Sequence, residues 1–193
     1  RRQRLHARVR RGALDHAAAH PEDRVLLVGD PARITAIAGV LPSNVEIVPA
    51  SQVIEMHEHP ALALREKRDA SILVGCELVR NGKADAIVTA GHTGAAMAAA
   101  VLRVGRLPGV DRPALAVQMV RAGRPFVLLH IGANPDSSPE NLAQYARMGA
   151  IFAEKVVGIP TPRVARLSIG EEKGKGDQRI QRTTELLDAS DLN

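Results

Sequence analysis

Three short glycine-bearing segments hold most of the chain's capacity for chemistry: Gly91-His92-Thr93-Gly94-Ala95, Gly132-Ala133-Asn134-Pro135-Asp136 and Gly170-Glu171-Glu172-Lys173-Gly174-Lys175-Gly176. Each directly follows a short apolar run of the kind that forms a strand. Small residues let backbone N–H groups approach an anion, and a helix starting behind the loop adds the positive end of its dipole. Phosphate is a natural ligand for that geometry. A tight strand-to-helix turn needs glycine whether or not anything binds, so each loop taken singly reads first as a structural turn. Three of them on one edge of one sheet would make a ligand cleft. None carries the full dinucleotide fingerprint or the phosphate loop ending in Gly-Lys-Ser/Thr, so a nicotinamide or ATP site is not supported.

Among side chains, His92 and His130 sit where apolar runs end. Either could donate to a phosphate or a thioester oxygen, and either could equally be a hydrogen-bonded structural histidine. No nucleophile stands out. Cys76 follows Gly75 inside a helical pattern, where a buried inert thiol is expected. Ser71, Ser137, Ser138 and Ser168 lack the nucleophile-elbow pattern. A missing nucleophile matters less where the substrate is itself the attacking group, as a phosphate dianion would be. His57 and His59 lack third and fourth ligands at a familiar spacing, so no metal is expected.

These loops need a scaffold of alternating strands and helices, and the pattern supplies one. The apolar run 25–28 meets Gly29-Asp30-Pro31, where Asp30 suits a helix N-cap and Pro31 its first turn. That helix runs to Gly39, and residues 45–48 predict a second strand closed by Pro49. Residues 60–81 are helical in pattern with a break near residues 69–71 and a stop at Asn81-Gly82. A buried strand is predicted over 86–89, followed by the first glycine loop and an alanine-rich helix over 95–101. Strands over 114–119 and 126–131 flank the turn-like residues 121–124, which allows a hairpin. A long helix is predicted from about 139 to 157, a last strand over 164–169 and a polar helix near 178–187. Nearly continuous apolar strands alternating with helices argue for an α/β fold, a mainly parallel sheet covered on both faces. Ligands bind beyond the carboxyl ends of such strands. No linker or short-period repeat divides the 193 residues, so one α/β domain is expected.

Composition narrows the function classes. With 45% hydrophobic and 24% charged residues, the chain can bury a core and is not of the disordered class. Aromatic residues make up only 2%, so stacking on nucleic-acid bases is poorly supplied and no nucleic-acid partner is expected. The net charge of +5 suits an acidic partner, whether a carrier protein, a phosphate compound, anionic lipid or nucleic acid, and charge alone does not choose. Six of the first eleven residues are arginine, with Leu5, Val9 and Ala13 forming one apolar stripe. That is a solvated amphipathic helix or a contact for anionic lipid or an acidic protein. One cysteine, no apolar leader core and no membrane-length apolar run read as cytosolic.

Residues 61–72, from Ala61 through Arg65-Glu66-Lys67 to Ile72, then Gly82-Lys83-Ala84-Asp85-Ala86 and Gly91-His92-Thr93-Gly94-Ala95, resemble the phosphate acyltransferase family of the PlsX type in order and spacing. Gly109-Val110-Asp111-Arg112-Pro113-Ala114-Leu115, Gly132-Ala133-Asn134, Met148-Gly149 with Ala153-Glu154-Lys155, and Ile169-Gly170-Glu171-Glu172 with Lys173-Gly174 extend the resemblance. It covers nearly everything after about Leu14. Two positions depart from the family: His92 stands where Asn is common, and His130 where Asp commonly precedes the Gly-Ala-Asn loop. The family's opening strand with its Asp-Ala-Met-Gly-Gly-Asp loop does not precede Arg1, and its C-terminal portion does not follow Asn193, so a partial family domain is expected.

The resemblance implies a homodimeric α/β/α fold of the phosphotransacetylase and isopropylmalate dehydrogenase kind. The implied reaction transfers a fatty acyl group from acyl carrier protein to inorganic phosphate, giving acyl phosphate for phospholipid synthesis. It needs no cofactor. The family is cytoplasmic and can associate peripherally with the membrane surface. In that framework His92, Thr93 and Asn134 are expected as the donors that hold phosphate or the thioester oxygen. Gly91, Gly94, Ala95, Gly132, Ala133, Gly170 and Glu171 would form the binding loops, and Lys173 and Lys175 would neutralise charge. Two other classes remain open: a noncatalytic binding or scaffold relative of the same fold, and a phosphotransacetylase-like enzyme acting on acyl-CoA.

Overall fold

The computed structural model describes residues 2–132, 136–170, 172 and 175–193, with the backbone alone for residues 2–8 and 10. The fold is α/β, and the chain forms two compact units, Arg1–Gly105 and Arg106–Asn193.

The first unit begins with α1 (Arg2–Ala19), followed by β1 (Val25–Gly29), α2 (Pro31–Ala38) and β2 (Val45–Pro49). β1 and β2 pair in parallel from Val25 opposite Val45 to Gly29 opposite Pro49, as a right-sized βαβ unit requires. Asp30 starts α2 as expected: its carboxylate accepts from the amides of Ala32 at 2.9 Å and Arg33 at 3.3 Å, and Pro31 takes the first turn. Gly39 ends the helix at a φ of 64°. Ala17, Leu27, Ile34 and Val45 form the core of this half. The Asn44 amide closes the connection by donating to the carbonyls of Ala17 and Asp23, each at 2.9 Å.

A second core in the same unit joins α3 (Pro60–Glu66), α4 (Ser71–Arg80) and α5 (Thr93–Arg103) through Ile54, Ala63, Leu64, Ala70, Leu73, Cys76, Ala95 and Ala99. The break expected near residues 69–71 is the α3–α4 junction. The Asp69 carboxylate holds it by accepting from both the amide and the hydroxyl of Ser51, each at 2.6 Å. Cys76 is buried, and burial pushes its thiol pKa up, with Arg103 pulling against the shift; this is the inert thiol the sequence implies.

The second unit opens with an antiparallel hairpin, β3 (Ala116–Arg121) and β4 (Arg124–Leu129). Its two-residue turn, Ala122 and Gly123, has φ of 49° and 75°, the sign a tight hairpin needs at both central positions. α6 (Pro139–Lys155) packs on β4, and α7 (Gln178–Asp188) packs on α6. A capping box between Ser138 and Asn141 starts α6. Gly149 lets Leu129 approach α6 closely, since a Cβ there would lie 2.5 Å from the Leu129 Cδ1.

Two expected strands do not form ladders. Residues 86–89 are exposed and irregular, with Val88 90% exposed, although Ile87 packs over Gly75 of α4. Residues 164–169 are extended with exposure alternating along the chain, yet the backbone bond described there is the Val164 amide to the Asn193 carbonyl, 2.7 Å. An apolar run shows strand propensity, but a strand exists only where a neighbour pairs with it, and among the described residues neither run has one.

Candidate active site

The first glycine loop lies wholly in the first unit and is built as a helix start. Thr89 Oγ1 accepts from the Gly91 amide at 3.1 Å, turning the chain before α5. His92 is the N-cap of α5, with extended dihedrals of −67° and 110°. Its Nδ1 accepts from the Ala95 amide at 3.4 Å, and its carbonyl accepts from the Ala96 amide at 2.9 Å. Nδ1 serves the helix as an acceptor, so Nε2 is the ring nitrogen left for the donor role expected of His92.

Gly94 sits against the start of α3. A Cβ at this position would lie 3.2 Å from Pro60 Cγ and 3.2 Å from His92 Cε1, so the turn is drawn tight around a glycine. Ala95 is buried and anchors the first turn of α5 in the α3–α4–α5 core. Thr93 is exposed. Among the described residues, the amides of Thr93 and Gly94 find no acceptor within the protein. The first turn of α5 thus has two amides without an acceptor among the described residues and an exposed Thr93, features that an oxyanion could use. Gly91, His92, Thr93, Gly94 and Ala95 form this one turn at the start of α5.

The other two loops belong to the second unit. His130 ends β4 with a φ of 60°, in the left-handed region that Asn, Asp and His enter more readily than other non-glycine residues. Its ring stacks on Tyr145 at 5.9 Å between centroids, and the Tyr145 hydroxyl lies 3.4 Å from Ser137 Oγ in the buried interior. His130 thus has a backbone and packing role that an Asp could share only in its backbone part. Gly132 follows at a φ of 111°, while Ala133 and Asn134 lie outside the described residues. In the third segment, Gly170 faces Glu172 and the Lys175 stem: a Cβ on it would meet Glu172 Oε2 at 2.7 Å and Lys175 Cγ at 3.2 Å. Lys175 is exposed, and Glu171 and Lys173 lie outside the described residues.

A cavity of about 630 Å³ lies within the second unit and is lined by none of residues 91–95. Its walls are apolar, including Leu128, Leu142, Ala150, Ile159 and Leu187, and Arg166 and Arg179 also reach it. The sequence pattern did not point to this cavity, because its walls are gathered from separate segments between residues 124 and 187; His130 is the residue singled out there as a candidate donor that lines it. Among the described residues, no cluster of three or more His, Cys, Asp or Glu side chains could hold a metal ion. Among the described residues, no helix is long and apolar enough to cross a membrane.

Comparison with known proteins now places the chain. Residues 7–192 match the family model for the fatty acid synthesis protein. The phosphate acyltransferase of Desulfitobacterium hafniense strain Y51 is 48% identical over 171 residues, 88% of this chain and 51% of that protein. That of Myxococcus xanthus is 47% identical over 186 residues, 94% of this chain and 53% of that protein. That of Acaryochloris marina is 49% identical over 181 residues, 92% of this chain and 52% of that protein. The chain spans about half the length of these curated relatives. With the glycine loop seated at the start of α5, and with a match running along nearly its whole length, the chain belongs to the fatty acid synthesis protein family, the phosphate acyltransferases of the PlsX type.

Proposed function

We propose that this chain is part of a phosphate acyltransferase that moves a fatty acyl group from an acyl-carrier-protein thioester to inorganic phosphate. The observation that carries the proposal is the start of α5, where the Thr93 and Gly94 amides have no acceptor among the described residues and Thr93 is exposed beside the His92 cap. A phosphate oxygen attacks the thioester carbonyl, the tetrahedral oxyanion collapses, and the carbon–sulfur bond breaks. The products are an acyl phosphate and the carrier thiolate, which takes up a proton. Phosphate is already anionic at neutral pH, so the protein's contribution is placement and stabilisation of oxygen charge.

In this reading Thr93 and the two amides hold phosphate, and the outward N–H of His92 is a further donor. Asn134 is assigned as an amide donor on its own loop by its place in the family motif, with Gly132, Ala133, Gly170 and Glu171 as backbone of their loops. Lys173 and Lys175 supply positive charge. The apolar cavity of the second unit supports the acyl side, since ligand pockets of roughly 300–1,000 Å³ with apolar walls are typical. The net charge of +5 favours an acidic carrier over a neutral donor. A cytoplasmic homodimer with peripheral membrane contact completes the proposal.

The test is thiol release from long-chain acyl carrier protein, with and without phosphate. Phosphate-dependent release that Thr93→Ala slows by roughly a hundredfold or more supports the assignment. Equal rates for wild type and Thr93→Ala would remove Thr93 from the mechanism. A preference for acyl-CoA that is insensitive to salt would move the function to the phosphotransacetylase kind.

A further inference from the structure

The segment that leads into α3 is held by a charge pair, and α3 begins at Pro60, which stands against Gly94 in the first turn of α5. α3 has seven residues, and its N-cap, His59, makes no side-chain cap bond. A helix of about 10 Å with an uncapped start has little stability of its own. Glu58 stands just before that start, and Lys67 is the C-cap residue at the other end. The Lys67 ammonium reaches back along the helix, donating to Glu58 Oε2 at 2.6 Å and to the Val53 carbonyl at 2.8 Å. Glu58 Oε2 accepts a further bond from the Glu55 amide at 2.6 Å.

This is no solvated surface pair. The two side chains are only 26% and 22% exposed. The Lys67 hydrogen bond, with the Glu55 amide behind it, holds the Glu58 carboxyl below its ordinary pKa. The strap ties residues 53–58 across α3 and fixes where its first residue, Pro60, stands. Pro60 is the residue whose Cγ would lie 3.2 Å from a Cβ on Gly94, and Ala63 and Leu64 of α3 share a core with Ala95 and Ala99 of α5.

We propose that Glu58 and Lys67 are positioning residues for the anion-binding turn, acting through Pro60 on Gly94. Neither touches phosphate. The pair fixes the height of α3 against α5, and so sets the direction of the Thr93 and Gly94 amides. The inference rests on the phosphate reading of that turn only for its functional consequence; the mechanical coupling is independent of it. Loss of either partner leaves the other charge in a partly desolvated place, which displaces the segment rather than merely loosening a surface contact.

The experiment follows backbone amide resonances of the ¹⁵N-labelled chain for wild type, Glu58→Gln, Lys67→Met, Lys67→Arg and Pro60→Ala, first without and then with inorganic phosphate. In folded Glu58→Gln and Lys67→Met, the Gly91, Thr93 and Gly94 signals are expected to move without phosphate, and phosphate affinity at those signals to fall by roughly tenfold or more. Lys67→Arg, which keeps the charge, restores both. Where the charge variants do not fold, Pro60→Ala decides, because it trims the contact and leaves the pair intact: displaced Thr93 and Gly94 amides support the coupling. Unmoved turn signals in the folded variants overturn the proposal. Wild-type signals that ignore phosphate would instead refute the phosphate reading, while the phosphate-free displacements still decide the coupling.

Discussion

The most exposed claim about the site is that His92 serves α5 as an acceptor, and it can be separated from chemistry. His92→Ala removes the Nδ1 lone pair that the Ala95 amide uses. Loss of an N-cap side chain costs about 0.5–2 kcal/mol. The 3.4 Å separation is longer than the usual 2.7–3.2 Å, which places this cap toward the low end, about 0.5–1 kcal/mol. For a cooperative unit of about a hundred residues, such a loss lowers the melting temperature by roughly 2–6 °C. His92→Asn restores the acceptor with a better capping group, so it should match or exceed wild type. Thr93→Ala, whose hydroxyl makes no described contact within the protein, should leave the melting temperature nearly unchanged while slowing phosphate-dependent thiol release. The assay is urea and thermal unfolding of the three variants beside thiol-release kinetics. A His92→Asn variant as unstable as His92→Ala would refute the cap assignment. A Thr93→Ala variant as destabilised as His92→Ala would show that Thr93 has a structural role and undo the separation of functions.

Gly149→Ala should destabilise the second unit. Its Cβ would fall 2.5 Å from Leu129 Cδ1, and overpacking of about 1–3 kcal/mol outweighs the gain of about 1 kcal/mol that alanine brings to a helix interior. Denaturant midpoints for Gly149→Ala alone and with Leu129→Ala would check this, the second change being expected to relieve the overlap at the expense of a cavity. The Asp69 carboxyl is held below its ordinary pKa by the Ser51 hydrogen bonds. Its contribution is therefore present above the unfolded-state value of about 4 and is lost as pH falls through the lower folded-state value. Asp69→Asn should lower stability at neutral pH and flatten the acid limb of the stability profile below about pH 4, as read from urea midpoints across pH.

Much of this architecture is legible because local chemistry specifies it. Asp30-Pro31 announces a helix start, Gly39 a stop, and the Arg121-to-Arg124 stretch a two-residue turn, and each stands where its chemistry places it. The failures share a different cause. Residues 86–89 and 164–169 have strand composition, but pairing is a property of two segments, and one segment's sequence does not contain its neighbour. Of the three glycine loops, the first lies in the unit Arg1–Gly105 and the other two in the unit Arg106–Asn193. The Glu58–Lys67 strap escaped notice because its spacing of nine residues fits neither the i,i+3 nor the i,i+4 pattern by which helix pairs are found.

The two departures from the family motif bear on where chemistry resides. Where the resemblance implies Asn, His92 places Nδ1 as an N-cap acceptor, as an Asn oxygen would be. Where it implies Asp, His130 has a φ of 60°, which Asp tolerates as well. In both places the new side chain preserves a demand of the backbone, so the turn and the strand end keep their form without the family's usual residue. A position that can exchange one capping group for another is constrained first by the helix it starts. Thr93 differs: it is exposed, caps nothing, and stands beside two amides that have no acceptor among the described residues. On the phosphate reading proposed above, Thr93 is the side chain at the positive end of α5 left for a ligand, and an oxyanion suits that end of a helix.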